Sequence, residues 1–254
     1  MTSGRTVPLP DFKLGIQLYG LQDNFRKDMR GTLKALAGFG YQGIELLAAG
    51  LDQPAEIAGN LRAAGLKAAG IYTGKPQLLI EAANTAADAF KTLGTCHLTC
   101  GYDARVERDW PVAIQELRRL AERAHEKGLV LNYHNHEQEY KSLQGRAALE
   151  ILAEQTDPDR VQFELDTYFP LKMGEDPCRW IKRFAGRMTR LHLKDLNASD
   201  GSVAVIGDGI LDVRAVVAEA VQGGVEWIVI EFHPGLANPL EMARLCLEGL
   251  RGAL

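Results

Sequence analysis

Carboxylate and imidazole side chains stand within several short apolar runs of this 254-residue chain. Asp166, His192 and Glu231 each lie in such a run, where a core that served packing alone would place Val, Ile or Leu. Burying an unpaired carboxylate costs on the order of several kcal/mol, whereas a bound cation neutralises the acids and accepts the imidazole lone pairs. With a group from the run Leu129–His134, these residues predict one site for Mn²⁺, Zn²⁺, Co²⁺ or Fe²⁺, which suit mixed histidine and carboxylate ligands.

The apolar runs alternate with amphipathic helical segments, and most of them closely follow a glycine. Glycine after a helix adopts the left-handed conformation without a Cβ penalty and so ends the helix. Six such junctions contain Gly40, Gly65, Gly94, Gly128, Gly186 and Gly224. The eight predicted strands are Leu14–Tyr19, Gln42–Leu47, Leu66–Tyr72, Thr95–Cys100, Leu129–His134, Val161–Asp166, Thr189–Lys194 and Trp227–Phe232.

Strands that alternate with helices predict βα units and a parallel sheet. Predicted helices include Asp28–Ala37, one that begins at Pro54, and two opened by the capping pairs Asp176-Pro177 and Asn238-Pro239. Eight such units in about 250 residues are typical of a (β/α)₈ TIM barrel. A doubly wound α/β sheet is the alternative, but Gly20 supplies only one glycine of the phosphate-binding loop expected after its first strand. We predict a single barrel domain over residues 1–254, with residues 1–12 as a flexible N-terminal extension.

Alternation along a barrel strand separates side chains that face the axis from those that face the helices, and catalytic groups gather where the strands end. Lys194 is assigned to a substrate oxygen, or else to a buried pair with Glu164 or Asp195. Glu164, deeper in the barrel than Asp166, is expected either to form a structural ion pair or to contact a metal ligand from outside the site, rather than to act in catalysis. Glu45 is assigned either to the substrate or to a salt bridge at the barrel mouth. The residues that we predict to contact a substrate are Lys194, His136, Glu45, Gln17, Tyr72 and His97.

The composition limits the classes of function. Lys and Arg number 29 and Asp and Glu 33, so the formal net charge of −4 lacks the positive excess of a nucleic-acid binder. No apolar run reaches the roughly 18 residues that cross a bilayer, and the first residues lack the apolar segment of a secretory signal. Four cysteines are few for this length and fit a reducing compartment. We expect a cytoplasmic protein that binds a small molecule and neither nucleic acid nor a membrane, and we leave a homo-oligomer open.

Six further stretches are spread over nearly the whole chain: Gly43–Leu46, Tyr133–His136, Phe163–Tyr168, Leu191–Asp195, Val205–Asp212 and Val229–Glu231. They resemble the sugar phosphate isomerase/epimerase superfamily of xylose isomerase-like barrels, and the run Tyr-His-Asn-His is similar to a subgroup associated with keto-sugars and their glycosides. The resemblance implies one divalent metal held at the ends of the fifth to eighth strands by His134, Asp166, His192 and Glu231. His134 stands where the superfamily usually has a glutamate, and Glu139 is a second candidate for that carboxylate.

The resemblance also implies an enzyme that abstracts a proton next to the carbonyl of a sugar or keto-sugar, with the metal as Lewis acid. The candidate catalytic groups are Glu231, His134 and Glu139. Return of the proton to the substrate gives an isomer or an epimer, so an isomerase or epimerase is the first prediction. Loss of a β-oxygen instead gives a metal-dependent lyase or dehydratase of a keto-sugar, an inosose or a keto-glycoside. A barrel that binds a sugar without turning it over is an alternative of a different class.

Overall fold

The computed structural model of this protein describes residues 12–74, 87–101 and 109–254. Residues 1–11 of the N-terminal extension predicted for residues 1–12 lie outside these ranges. Phe12, the last residue of that extension, packs against the hydrophobic core. Every residue that the sequence assigns to the candidate site lies within them.

Eight parallel strands form a closed barrel in which neighbours in the chain pair and the last strand pairs with the first. The strands β1 to β8 are Lys13–Gln17, Gly43–Leu47, Lys67–Thr73, His97–Cys100, Val130–His134, Val161–Asp166, Arg190–Leu193 and Trp227–Ile230. The predicted (β/α)₈ barrel is therefore confirmed. The predicted ends are less accurate: β4 begins at His97, and β1 ends at Gln17 because the chain enters a 3₁₀ helix over Tyr19–Leu21.

Helices connect the strands and cover the outside of the barrel. The helices α1 to α9 are Gln22–Lys27, Met29–Phe39, Pro54–Ala64, Trp110–Glu126, Ala148–Gln155, Tyr168–Lys172, Pro177–Arg183, Val213–Gln222 and Pro239–Ala253, and residues 87–93 are also helical. Asp176 and Asn238 cap α7 and α9 as predicted, each accepting a hydrogen bond from a backbone N–H of the first turn. None of the described helices combines the length and the apolar character needed to span a lipid bilayer.

The six glycines predicted to end helices all adopt the left-handed backbone. Their φ angles run from 70° at Gly128 to 112° at Gly40. A residue with a Cβ is strained in this region of φ. These positions therefore fix where each helix stops and the chain turns toward the next strand.

The main hydrophobic core lies between the barrel and its helices. Leu165, Leu191 and Leu193 face outward from β6 and β7, as their alternation predicts, and each is at most 1% exposed. They belong to one continuous cluster with the inner faces of the helices. This packing holds the strand ends in fixed positions, so the side chains there have a rigid support.

A separate apolar layer fills the N-terminal end of the barrel interior. Trp227, the first residue of β8, packs there with Ala69 and Val229. Gly43 on β2 makes room for the indole, because a Cβ at that position would lie 2.5 Å from the Trp227 ring. The barrel therefore has an apolar floor, and the polar side chains lie above it.

The pairing of β2 with β3 contains a β-bulge. Glu45 pairs with Gly70 while the residue before Glu45 pairs with Ala68, so Ala69 is the extra residue. The carbonyl of Ala69 accepts a hydrogen bond from Nη1 of Arg190 inside the barrel. Glycine is needed at position 70, because a Cβ there would lie 2.6 Å from Nη2 of Arg190.

Two glycines of α9 give a matched test of this packing. Gly249 touches the loop before α8, and a Cβ there would lie 1.8 Å from the carbonyl oxygen of Ile206, whereas Gly252 has open space around it. Gly249→Ala is expected to lower the free energy of unfolding by about 1–3 kcal/mol through overpacking. Gly252→Ala is expected to raise it by up to about 1 kcal/mol through helix propensity. Urea unfolding followed by circular dichroism compares them, and equal effects would contradict the close approach.

Candidate active site

Four side chains meet where β5 to β8 end, and we call them the quartet. His134 is the last residue of β5 and Asp166 the last of β6, while His192 lies in β7 and Glu231 directly follows β8. One ligand-capable atom from each residue lies within 4.8 Å of the others, and all four residues are buried. The ends of four adjacent strands thus bring together the four residues that the sequence predicts as metal ligands.

Each member of the quartet contributes a buried polar atom that makes no hydrogen bond of regular geometry and whose close polar contacts are confined to the quartet and Lys194. These atoms are Nδ1 of His134, Oδ2 of Asp166, Nδ1 of His192 and Oε2 of Glu231. Buried polar atoms in proteins are almost always hydrogen bonded, so four exceptions close together point to a shared partner of another kind. Imidazole nitrogen and carboxylate oxygen are together a donor set that suits Mn²⁺, Fe²⁺, Co²⁺ and Zn²⁺.

Lys194 contacts both acids of the quartet. Its Nζ lies 2.7 Å from Oε1 of Glu231 and 2.9 Å from Oδ2 of Asp166, and its side chain is 1% exposed. Burial alone would lower the pKa of this ammonium group, but the two carboxylates outweigh burial and raise it. Lys194 is therefore a constant positive charge, and it pairs with these two acids rather than with Glu164 or Asp195.

A second charged cluster lies deeper in the barrel, formed by Glu45, Glu164 and Arg190, and we call it the lower cluster. Nε of Arg190 lies 2.9 Å from Oε1 of Glu164, and its Nη2 lies 3.2 Å from Oε1 of Glu45. All three side chains are fully buried. Gln17 donates a hydrogen bond to Oε2 of Glu45 at 2.8 Å, and the hydroxyl of Thr99 donates to Glu164. The lower cluster is thus tied to five strands and has little freedom to move.

The lower cluster corrects one prediction and supports another. Glu164 forms the structural ion pair expected of it. Glu45 contacts neither the barrel mouth nor the cavity above the quartet, because as the third residue of β2 it lies too deep. Arg190 was not predicted, although it lies two residues before His192 and so faces the same side of β7.

His192 joins the quartet to the lower cluster. Its Nε2 lies 2.7 Å from Oε2 of Glu45 and 3.3 Å from Oε1 of Glu164, and its Nδ1 lies 2.8 Å from Oε2 of Glu231. Burial would lower the pKa of this imidazole, but Glu164 and Glu45 outweigh burial and raise it well above its ordinary value. Burial lowers the pKa of His134 well below its ordinary value, so that ring is neutral and keeps a lone pair.

The quartet and the lower cluster together hold more negative than positive charge. Their four carboxylates face two permanent cations, Arg190 and Lys194. His134 is neutral, and the raised pKa of His192 makes it a third cation while no metal is bound. Once both imidazoles are neutral, as metal ligands must be, two negative charges are left uncompensated in the barrel interior, where each costs on the order of several kcal/mol. Burial accordingly raises the pKa of Asp166 and of Glu45. One divalent cation would balance the interior.

A cavity of about 750 Å³ opens above the quartet, at the C-terminal end of the strands. Its described walls combine polar groups with aromatic rings, among them Tyr19, Tyr72, Phe169, His136 and His233. Concave sites of this composition bind small molecules. Of the residues predicted to contact a substrate, those that line this cavity are Lys194, His136, Gln17 and Tyr72.

His97 lies at the opposite end of the barrel, against the prediction that it contacts the substrate. It is the first residue of β4, and it lines another cavity, of about 540 Å³, with Lys13 and Trp227. Burial lowers the pKa of His97 to about 4. Alternation identifies the face on which a strand residue lies but not the end of the barrel, and β4 begins two residues later than predicted.

Glu139, predicted as a second candidate for the fifth-strand carboxylate, is not among the described residues that line the cavity. It lies fully buried in a 3₁₀ helix, Gln138–Tyr140. Its Oε1 accepts a hydrogen bond from the hydroxyl of Tyr133 at 2.6 Å, and its Oε2 accepts one from the backbone N–H of His136 at 2.8 Å. Glu139 therefore holds the turn that carries His136 and does not line the cavity.

Two other residues near the site have clear roles in the structure. His233 lines the cavity and was not predicted, although it follows Glu231 by two positions and alternation places it on the same side. The carboxylate of Asp195 accepts hydrogen bonds of 2.8–3.1 Å from the backbone N–H groups of Leu196, Gly207, Gly209 and Leu211. Asp195 thus fixes the loop after β7.

Comparison with known proteins adds a family and several relatives. A family model described as xylose isomerase-like TIM barrel matches residues 33–251. An inosose dehydratase of Geobacillus thermodenitrificans is 31% identical over 165 residues, which cover 57% of this chain and 55% of that protein. The chain thus spans about half the length of the curated relatives that it matches.

Two solved structures share the fold. A sugar phosphate isomerase/epimerase from Parabacteroides distasonis superposes with a TM-score of 0.82 at 23% identity, covering 98% of this chain and 96% of that one. A 3-keto-D-glucoside 4-epimerase from E. coli gives a TM-score of 0.74 at 16% identity, covering 95% of this chain and 99% of that one. At these identities the likeness establishes the barrel architecture alone.

Arg190→Met tests the energetic role of the lower cluster. The substitution leaves Glu45 and Glu164 without their buried counter-charge, so we expect the free energy of unfolding to fall by about 3–5 kcal/mol. Arg146→Met removes an exposed arginine paired with surface glutamates and is expected to change stability far less. Urea unfolding measures both variants. Adding Glu164→Gln to Arg190→Met should restore part of the lost free energy of unfolding, because it removes one of the unpaired charges. A double variant whose loss equals the sum of the losses of the two single variants would contradict an interaction between Arg190 and Glu164.

Proposed function

Because the chain belongs to the xylose isomerase-like TIM barrel family, we propose that it is an enzyme that uses a divalent metal to act on a keto-sugar or keto-cyclitol. The observation that carries the proposal is the quartet, in which four buried imidazole and carboxylate donor atoms converge beneath a cavity. The residues that would hold the metal are His134, Asp166, His192 and Glu231. The ion, when bound, supplies Lewis-acid polarisation of a substrate carbonyl.

Glu231 is the proposed catalytic base. Among the described residues that line the cavity it is the one carboxylate. Burial would raise its pKa, but Lys194 and His192 outweigh burial and hold that pKa well below the ordinary value, so the group is ionised. Glu231 would take the proton from the carbon next to the substrate carbonyl.

Lys194 and the aromatic wall complete the proposed site. The ammonium of Lys194 lines the cavity and is fixed by Asp166 and Glu231, so it can donate to a substrate oxygen without losing its position. The rings of Tyr72 and Phe169 line the same cavity and exclude water from the reacting carbon. Together they orient the ligand over Glu231.

A single base favours loss of water over movement of a proton between two faces. The proton that Glu231 removes can be passed to the departing β-hydroxyl, so one carboxylate serves both steps and the products are an unsaturated ketone and water. His134 stands where a second carboxylate would act, and Glu139 is turned away from the cavity. The 31% sequence identity with an inosose dehydratase over 165 residues supports the same outcome. We therefore propose a dehydratase.

An isomerase or epimerase is the second candidate. It needs a group that returns the proton to another carbon or to the opposite face of the substrate. His136 lines the cavity and packs against Phe169 with ring centroids 5.0 Å apart, and an imidazole can exchange protons near neutral pH. This observation keeps the first sequence prediction as an alternative outcome of the same proton abstraction.

Metal dependence is tested on the protein stripped with a chelator. Added Mn²⁺ or Zn²⁺ should raise the unfolding temperature, because a ligand that binds only the folded state stabilises it by about 2.7 kcal/mol at a free concentration 100 times its Kd. Asp166→Asn should abolish this rise, whereas Asp159→Asn, which changes an exposed carboxylate in the loop before β6, should keep it. Scanning calorimetry measures the shift. An unfolding temperature indifferent to metal in the wild-type protein would contradict a metal-dependent function.

The reaction is tested by NMR of candidate keto-sugars, inososes and keto-glycosides in D₂O with the metal-loaded protein. We expect the signals of an unsaturated ketone to grow as those of the substrate fall. Glu231→Gln should lower the rate by at least about 10²-fold, and Glu226→Gln, at the exposed start of β8, should leave it unchanged.

The outcomes separate the candidate functions. Deuterium incorporation without loss of water would reject the dehydratase and support the isomerase or epimerase. Saturable binding of a sugar, with neither loss of water nor deuterium incorporation for any candidate substrate, would support the sugar-binding barrel. A Glu231→Gln variant with a near-normal rate would remove Glu231 from the mechanism.

A further inference from the structure

The two nitrogens of His192 have different surroundings. Nε2 faces the lower cluster and lies 2.7 Å from Oε2 of Glu45. Nδ1 faces the quartet, where it lies 2.8 Å from Oε2 of Glu231. Each ring nitrogen thus faces a carboxylate, Nε2 that of Glu45 in the lower cluster and Nδ1 that of Glu231 in the quartet.

We propose that Glu45 is a positioning residue that keeps His192 protonated on Nε2, so that Nδ1 is the atom that binds the metal. The inference rests on the proposed function, since it needs a metal at the quartet. A neutral imidazole carries one N–H and one lone pair. A carboxylate that accepts the N–H therefore decides which nitrogen offers the lone pair, and it also fixes the plane of the ring.

Glu45 is better placed for this role than Glu164. Oε1 of Glu164 lies 3.3 Å from Nε2, compared with 2.7 Å for Oε2 of Glu45. Arg190 lies closer to Glu164, at 2.9 Å from Nε to Oε1, than to Glu45, at 3.2 Å from Nη2 to Oε1. Glu164 also accepts a hydrogen bond from the hydroxyl of Thr99. Glu164 is therefore mainly the counter-charge of Arg190, and Glu45 is the acceptor for His192.

Two side chains from other strands hold Glu45 in place. Gln17, its partner in the pairing of β1 with β2, donates to the same Oε2 that faces His192. Arg190 contacts the other oxygen, Oε1, and is itself held by the carbonyl of the bulge residue Ala69. The absence of a Cβ at Gly70 lets the guanidinium lie against β3. The bulge, the arginine and the glutamate thus form one chain of contacts that ends at the imidazole.

The test uses the full-length protein loaded with Zn²⁺, a diamagnetic ion, and labelled with ¹⁵N in its histidines. Long-range ¹H–¹⁵N spectra distinguish a protonated, a free and a metal-bound ring nitrogen. In the wild-type protein we expect His192 to show a protonated Nε2 and a zinc-bound Nδ1. His192→Gln assigns its signals by their loss.

Two substitutions at position 45 separate positioning from structural support. Glu45→Met removes the acceptor and should weaken zinc binding by about 10- to 100-fold, measured by competition with a chromophoric chelator. Glu45→Gln keeps an acceptor oxygen and should restore most of the affinity and the Nε2-protonated spectrum. Asp195→Asn removes a buried carboxylate from the neighbouring loop and should lower the unfolding temperature while zinc affinity and the His192 signals stay as in the wild type.

Each result supports or overturns the proposal. Zinc bound through Nε2 in the wild-type protein, or wild-type affinity and an unchanged His192 spectrum in Glu45→Met, would overturn it while leaving the proposed function intact. Wild-type protein that binds no zinc, manganese, cobalt or iron would overturn the proposed function and the inference with it. If Glu45→Met does not fold, the wild-type spectrum and the Glu45→Gln variant still show which nitrogen binds zinc and whether an acceptor at position 45 suffices.

Discussion

Excess negative charge inside a closed barrel is the constraint on which the rest of this structure depends. The quartet and the lower cluster place four carboxylates against two permanent cations in a buried region beneath the cavity. Such a region folds only if each charge has a close partner, because uncompensated buried charge is costly. Arg190 and Lys194 compensate two of the four negative charges. With both histidines neutral, a divalent ion at the quartet would compensate the other two.

The barrel interior divides into three levels with different tasks. Trp227 and its apolar neighbours form the floor, the lower cluster lies above them, and the quartet lies under the cavity. The outward-facing leucines bind the strands to the helices and keep all three levels in register. Because each polar side chain is fixed by a partner from another strand, the donor atoms are positioned before any ligand arrives, and a rigid site of this kind loses little entropy on binding.

Sequence patterns predict the barrel and the quartet but not the partners of each charge. Alternation within a strand gives the facing direction of Asp166, His192 and Glu231 because the period of two is a property of the backbone. It does not give depth, which depends on where each strand starts relative to its neighbours, and so it misplaced His97 and Glu45. Glu139 lies beyond the strand, where the backbone turn and not the alternation directs the side chain. Arg190 lies two residues before His192, and His233 lies two residues after Glu231. Extending the alternation by two residues from each of these quartet members would have identified both.

The apolar floor beneath the charged levels has a consequence for the order of events in turnover. With Trp227 and Arg190 filling the barrel from below, the described residues leave the C-terminal mouth as the passage to the quartet. Under the proposed function, the substrate, the expelled water and the ion would share that passage. An ion seated at the quartet would lie behind the ligand in that passage. Exchange of the metal would then have to wait for the product to depart, and a tightly held product would protect the ion from chelators in solution.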